Sequence, residues 1–351
     1  MALPDLVWHL IYIVSGITLL TFGGDLVVRG SVTLAIKLGI SKVLVGMIIV
    51  GFGTSAPELL VSISATLSGS PDIAVGNVVG SNIANFLLIL GLALLITPVF
   101  CKDPVIKRDA LAVIGAGGIL MFFARDGQII AMEGGIMLAI LLTYLGASIM
   151  ASWQTPASIT PASTSESTPE STPESTQDAI QDQDGDSTYS HEADEYDSDR
   201  SVASCVMLCF VGIIMLVFGA DLLVDGASAV ARSFAISEAV IGLTLVAVGT
   251  SLPELAAMIA AALKRHDDII VGNIIGSTLF NILSILGITA LIAPLAVAQQ
   301  IIVVDIPISV MITVVLGAGL IFLSRLPRFF GGIMLAAYVI YLFWQFSAGH
   351  I

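Results

Sequence analysis

The chain has 351 residues, of which 56% are hydrophobic and only 11% charged, and its mean hydropathy is +1.00. That excludes a soluble domain of ordinary make-up, because too little charge remains to cover a water-facing surface; a lipid bilayer is the solvent it suits. The net charge of −14 is mostly local, since twelve acids and one base fall between Gln154 and Arg200, leaving fifteen acids against twelve bases elsewhere. The acidity marks a loop, and no nucleic-acid partner is expected.

The first apolar run, 7–36, lacks a basic leader and continues into more helix, so it reads as a span and not as a cleaved signal. Segments 42–68, 73–98, 107–124 and 129–150 follow, separated by Lys, Gly, Asp and Pro. Residues 151–200 are rich in Ser, Thr, Pro and acid. They have too little apolar content to fold, so they read as a disordered linker. No EF-hand spacing is present to make that linker a calcium sensor. Five more apolar segments then run over 202–233, 238–263, 269–294, 301–323 and 329–347. Cys205 and Cys209, one helical turn apart in the sixth, read as packing residues, and with Cys101 they make no disulfide framework.

The two sides of the linker repeat one another. FGGDLVVRG (22–30) matches FGADLLVDG (218–226), and GFGTSAPEL (51–59) matches AVGTSLPEL (247–255). DIAVGNVVGSNIANFLLILG (72–91) matches DIIVGNIIGSTLFNILSILG (268–287), and Asp109 matches Asp305. All keep one offset of 196 residues, which marks a duplication. Five spans per copy is odd, so the second copy, 201–351, enters the membrane inverted relative to the first, 1–150. The expectation is an all-α integral membrane protein of ten helices in two inverted five-helix repeats. Helices 2, 3, 7 and 8 are expected to break around a midplane ion site.

Basic residues fix the orientation. Lys37, Lys42, Lys102, Lys107, Arg108, Arg200, Lys264, Arg265, Arg325 and Arg328 fall in loops on one side, against Arg125 and Arg232 on the other. The rich side is cytoplasmic by the positive-inside rule. Both termini then lie outside the cell membrane, and the acidic linker lies in the cytosol.

Ionisable groups in a bilayer are costly, so Glu58 and Glu254, at matching positions inside segments 2 and 7, are the first candidates for function. Pro57 and Pro253 precede them. Each removes an N–H and crowds the carbonyl four residues back, at Gly53 and Gly249, so both segments should bend beside the carboxylate. Thr54 and Thr250 lie one turn before the acids, and Ser55 and Ser251 three residues before them. Segments 3 and 8 carry G-x-x-x-G patterns at Gly76/Gly80 and Gly272/Gly276, followed at i,i+4 by Ser81/Asn85 and Ser277/Asn281. The donors are all oxygen. Calcium takes about six to eight oxygens, and two bidentate glutamates with the Thr54 and Thr250 carbonyls would supply six. Zinc or copper would favour His or Cys, and neither occurs in these motifs; His9 and His266 fall near membrane edges. No nucleophile–base pair or H-E-x-x-H points to an enzyme.

The paired motifs GTSAPEL and GTSLPEL, followed by GNVVGSNIAN and GNIIGSTLFN, resemble the two alpha-repeats of the cation/calcium antiporter superfamily, in its prokaryotic sodium/calcium exchanger branch. The resemblance covers nearly all of the chain except the linker. It implies exchange of Ca²⁺ for Na⁺ by alternating access, with no cofactor. It also implies Glu58 and Glu254 as main calcium ligands with Thr54 and Thr250 beside them. Ser55, Ser251, Ser81 and Ser277 would serve sodium, while Asn85 and Asn281 line the centre. Some members, including potassium-dependent exchangers, carry an aspartate where this chain has Asn281, which argues against potassium co-transport. The proton-driven branch more often shows G-N-A-x-E, whereas G-T-S-x-P-E here favours sodium. A proton-driven Ca²⁺ antiporter is the runner-up and a cation channel the alternative from another class. Asp25 and Asp221 read as structural, and a monomer in the bilayer is the working expectation.

Overall fold

The computed structural model describes residues 3–101, 104–154, 200–234 and 249–347. The stretch 155–199 read as a disordered linker, and residues 238–248 of the seventh segment, lie outside them. In chain order the helices are α1 (Leu3–Leu38), α2 (Lys42–Thr54), α3 (Ala56–Leu67), α4 (Pro71–Ile96), α5 (Pro104–Phe123) and α6 (Ala131–Gln154). Then come α7 (Val202–Ser233), α8 (Leu252–Leu263), α9 (Asp267–Ile292), α10 (Ile301–Phe322) and α11 (Arg328–Ser347). Seven are long and apolar enough to cross a membrane, and the bent pair α2–α3 makes an eighth span. α5 has the length but carries Lys107, Arg108 and Asp109 near its start. Large apolar side chains such as Trp8, Val14, Phe22, Leu111, Phe322 and Phe343 face outward, as a hydrocarbon solvent requires. This is a multi-pass helical membrane protein.

Two helices form the centre. In its most apolar stretch α9 is 94% buried and α4 72%, against 17–33% for the five other continuous spans. Small residues allow the close packing. In α9, a Cβ on Gly272 or Gly276 would run into the backbone of α2 at Val43 and Met47, so α2 lies directly on α9. α1 and α7 pack antiparallel through glycines seven residues apart. A Cβ on Gly16 would sit 2.7 Å from the Gly219 carbonyl oxygen, and one on Gly23 2.8 Å from that of Gly212. Cys205 and Cys209 are buried free thiols in the same seam, facing Gly30.

Segment 2 does break where Pro57 requires it, at Ser55, with a bend of 42°. The expected breaks in helices 3 and 8 are corrected. α4 and α9 run continuously, each through one π-helical turn, Asn85–Leu90 and Phe280–Ile285. Neither carries an internal proline; in α9 Gly272 and Gly276 serve close packing, whereas in α4 a Cβ on Gly80 would meet nothing within 4 Å. A π turn widens the helix and releases one carbonyl from its ordinary bond without ending the helix. A second departure from the all-helical expectation is a pair of short antiparallel ladders, β1 (Val99–Phe100) with β4 (Arg325–Leu326) and β2 (Gln128–Ile129) with β3 (Leu295–Ala296). Loops from the two halves meet there and satisfy each other's backbone groups. His266, between α8 and α9, is buried rather than at the surface. Burial, with Lys42 and Lys264 nearby, pushes its pKa down to about 4.

Asp25 ties α1 to α8. It accepts Lys264 Nζ at 2.6 Å and Arg29 Nε at 2.8 Å. Ser68 and Asp225 stand where a repeat of this arrangement would need Lys264 and Arg29, so the second half cannot mirror it. Because the Asp25 and Lys264 side chains keep 33% and 16% exposure, solvent weakens the pair. Asp25→Asn or Lys264→Met should each lower the melting temperature of the purified protein, at a cost of about 1–2 kcal/mol. The double variant should lose less than the sum. Additive losses would show that these two groups do not interact.

Candidate functional site

The break at Ser55 and the turn at Ser251 bring two half-helix N-termini to the middle of the fold. Glu58 lies in the first turn of α3 and Glu254 in the first turn of α8, where the helix dipole favours a carboxylate. Pro57 and Pro253 are tolerated there because a first-turn N–H has no helical partner to lose. Both glutamates are 1% exposed and close enough to interact electrostatically.

The serines cross between the halves. Ser55 Oγ donates to Glu254 Oε1 at 2.8 Å, and Ser251 Oγ donates to Glu58 Oε1 at 3.3 Å. Spacing along one helix had placed Ser55 beside Glu58 and Ser251 beside Glu254. That helical phase does not survive the break at Ser55, and each serine serves the other half's acid. Thr54 is fully buried, and its hydroxyl bonds back to the Val50 carbonyl at 2.9 Å. Thr250 lies in the turn before Ser251 and is half-buried.

α4 and α9 bring the remaining candidates. Ser277 Oγ donates to the Gly51 carbonyl at 3.2 Å. This contact needs the close approach of α2, since a Cβ on Gly51 would lie 2.8 Å from the Ser277 nitrogen. Ser81 and Asn85 are buried on α4, and Asn281 is buried on α9. Asn281 Nδ2 donates to Asn82 Oδ1 at 3.1 Å. Asn82 did not stand out in the sequence because its repeat counterpart is Thr278. Asn77, also missed, donates to the Glu58 carbonyl and to Ser62 Oγ.

Among the candidate site residues, four side-chain oxygens from four helices are left buried without a hydrogen-bond partner: Glu58 Oε2, Glu254 Oε2, Asn85 Oδ1 and Asn281 Oδ1. Leaving a polar atom so costs about 1–3 kcal/mol each, and more for a charged group. Oxygens alone, with two negative charges among them, suit a hard cation of the calcium, magnesium or sodium kind. Among the described residues no group of three or more His, Cys, Asp or Glu side chains offers a competing site.

This architecture has relatives. The chain is 31% identical to the sodium/calcium exchanger MaX1 of Methanosarcina acetivorans, over 93% of this chain and 95% of that protein. It is 34% identical to the inner membrane protein YrbG of Escherichia coli, over 80% and 79%. The solved structure of the sodium-calcium exchanger NCX_Mj soaked with zero Na⁺ and Ca²⁺ superposes with a TM-score of 0.76 at 28% identity, over 95% of this chain and 97% of that one. The model of the sodium/calcium exchanger protein family matches residues 8–150 and 204–347. The chain belongs to the sodium/calcium exchanger family, as a prokaryotic-type member of the cation/calcium antiporter superfamily.

Proposed function

We propose that this exchanger-type transporter moves Ca²⁺ against Na⁺ by alternating access, with Glu58 and Glu254 as the main calcium ligands. The observation that carries the reading is the pair of buried carboxylates, one from each half, each keeping one oxygen without a partner. Two negative charges balance one Ca²⁺ in a site where unbalanced charge is costly. Thr54 and Thr250 stand beside the acids and offer carbonyls. Ser55, Ser251, Ser81 and Ser277 are assigned to sodium, and Asn85 and Asn281 to the centre.

The chain forms ten spans in two inverted repeats, 1–150 and 201–351, joined by the cytoplasmic linker 151–200. Bonds between loops support this reading, because each joins loops that the alternation puts on one side. β1 pairs with β4 and β2 with β3. Asp267 accepts from the Phe100 nitrogen at 3.0 Å, and Arg328 donates to the Ile96 carbonyl at 2.7 Å. The basic loops make the side of β1 and β4 cytoplasmic, with both termini outside the cell membrane. Alternating access draws support from an asymmetry. α1 packs along α8, where a Cβ on Gly24 would lie 2.9 Å from the Ala256 carbonyl oxygen, while α7 does not pack along α3. One repeat is thus closed against its partner helix where the other stands apart, as expected of one end state of a carrier. Carboxylates only 1% exposed favour a carrier over a channel, and a site completed within one chain favours a monomer.

Glu58→Gln or Glu254→Gln should each weaken ⁴⁵Ca²⁺ binding by about 100-fold or more while the protein stays folded, since a bidentate ligand and half the compensating charge are lost. Near-normal binding in either variant refutes the assignment. Charge movement tests the coupling. One Ca²⁺, or two Na⁺, leaves the centre neutral, whereas a third Na⁺ held by hydroxyl and amide oxygens leaves one positive charge. Exchange of three Na⁺ for one Ca²⁺ then responds to voltage by about 2.3 kcal/mol per 100 mV. In proteoliposomes clamped with potassium and valinomycin, a potential negative on the side that receives sodium should accelerate calcium movement. A sodium-driven flux indifferent to voltage contradicts the three-sodium scheme, and a flux needing only a pH gradient favours proton exchange.

A further inference from the structure

Asn77 lies on α4 one turn before Ser81 and two turns before Asn85, so the three share a helix face. Its amide nitrogen donates to two acceptors on α3, the backbone carbonyl of Glu58 at 3.2 Å and Ser62 Oγ at 3.0 Å. An amide nitrogen carries two hydrogens, so both bonds form together. Ser62 is fully buried, so no water competes for that acceptor. One acceptor is the main chain of the residue whose carboxylate faces the site, and the other is one turn further along. Both lie just beyond the break at Ser55, where α3 begins and is joined to α2 only through a 42° bend.

The duplication supplies an internal control. Asn273 stands at the matching place on α9, but Met258 replaces Ser62 and Ala262 replaces Thr66. Asn273 makes no such pair of bonds, and its Oδ1 is buried without a partner. The sequence has kept the asparagine in both halves and the hydroxyl in one.

We propose that Asn77 is a positioning residue for cation binding: it clamps the first turn of α3 to α4 and so fixes Glu58 relative to Ser81 and Asn85. The first half of the site then moves as one unit, while Glu254 is held without this clamp. A precisely held shell binds more tightly than one that must be ordered when the ion arrives. The proposal rests on Glu58 being a cation ligand.

The test is ⁴⁵Ca²⁺ uptake by the full chain in sodium-loaded proteoliposomes, with calcium varied. Losing two part-buried hydrogen bonds, Asn77→Ala should raise the half-saturating calcium concentration about tenfold. The maximal rate should stay within about twofold, a split that general destabilisation does not produce. Asn273→Ala should shift half-saturation less than about twofold, having no matching pair of bonds to lose. Ser62→Ala removes one bond with little change of shape and should raise half-saturation about threefold, which decides the matter if Asn77→Ala does not fold. Unchanged half-saturation in Asn77→Ala and Ser62→Ala, equal shifts for Asn77→Ala and Asn273→Ala, or a parallel fall in maximal rate and melting temperature overturns the clamp. Glu58→Gln separates the two readings. If it binds calcium normally the site assignment fails, whereas if it loses calcium while Asn77→Ala is normal only the clamp fails.

Discussion

A carboxylate in hydrocarbon must be compensated, and this fold places two of them together at its centre. Much of the surrounding architecture can be read as the answer to that cost. Pro57 ends one helix and starts another so that Glu58 falls at a positive helix end, and Pro253 opens α8 around Glu254 in the same way. The crossed bonds from Ser55 and Ser251 give each acid a donor from the opposite half, so neither half holds its own acid alone. Glycines at 272 and 276 let α2 sit on the backbone of α9, which carries Ser277 to the Gly51 carbonyl. What remains is one free oxygen on each carboxylate and one on each of two asparagines, a neutral requirement only once a cation is present.

Much of this was legible in the sequence. Apart from the seventh segment, whose first part lies outside the described residues, apolar runs placed the observed helices to within a few residues, because a bilayer imposes one length scale and one solvent on all of them. The repeated G-T-S-x-P-E picked out Glu58 and Glu254, since a bilayer tolerates a buried acid chiefly where function requires it. The three-dimensional pairing was not legible. Helical spacing assigned Ser55 to Glu58, and only the broken helix gives it to Glu254. The breaks expected in α4 and α9 had no internal proline to make them, and a π turn leaves no local sequence signature at Asn85 or Phe280. The short β-ladders depend on loops more than 160 residues apart meeting at one face, a tertiary event. Asn82 and Asn77 were passed over for different reasons. One has no matching asparagine in the other half, and the other sits inside the Gly76/Gly80 pattern, which read as a packing signal.

The duplication is also informative where it fails. Ser62 and Thr66 line α3, while Met258 and Ala262 line α8. Lys264 reaches Asp25 from the end of α8, but Ser68 ends α3. Asn82 meets Asn281 across the centre, but Thr278 bonds back within its own helix. The two copies thus differ at particular positions around one shared pair of acids, with hydroxyls on α3 where α8 is apolar. Under the proposed alternating access, a carrier presents its site to two sides through similar but inequivalent paths, and such differences would bias which state is preferred.

The measurement that bears most directly on the account is ⁴⁵Ca²⁺ uptake into proteoliposomes loaded with sodium, potassium or choline, each with and without a pH gradient. Uptake should require internal sodium, proceed without a pH gradient, and disappear when Glu58 and Glu254 are both replaced by glutamine. Uptake driven by the pH gradient alone, or calcium movement that continues without any counter-cation and survives loss of both acids, would contradict it.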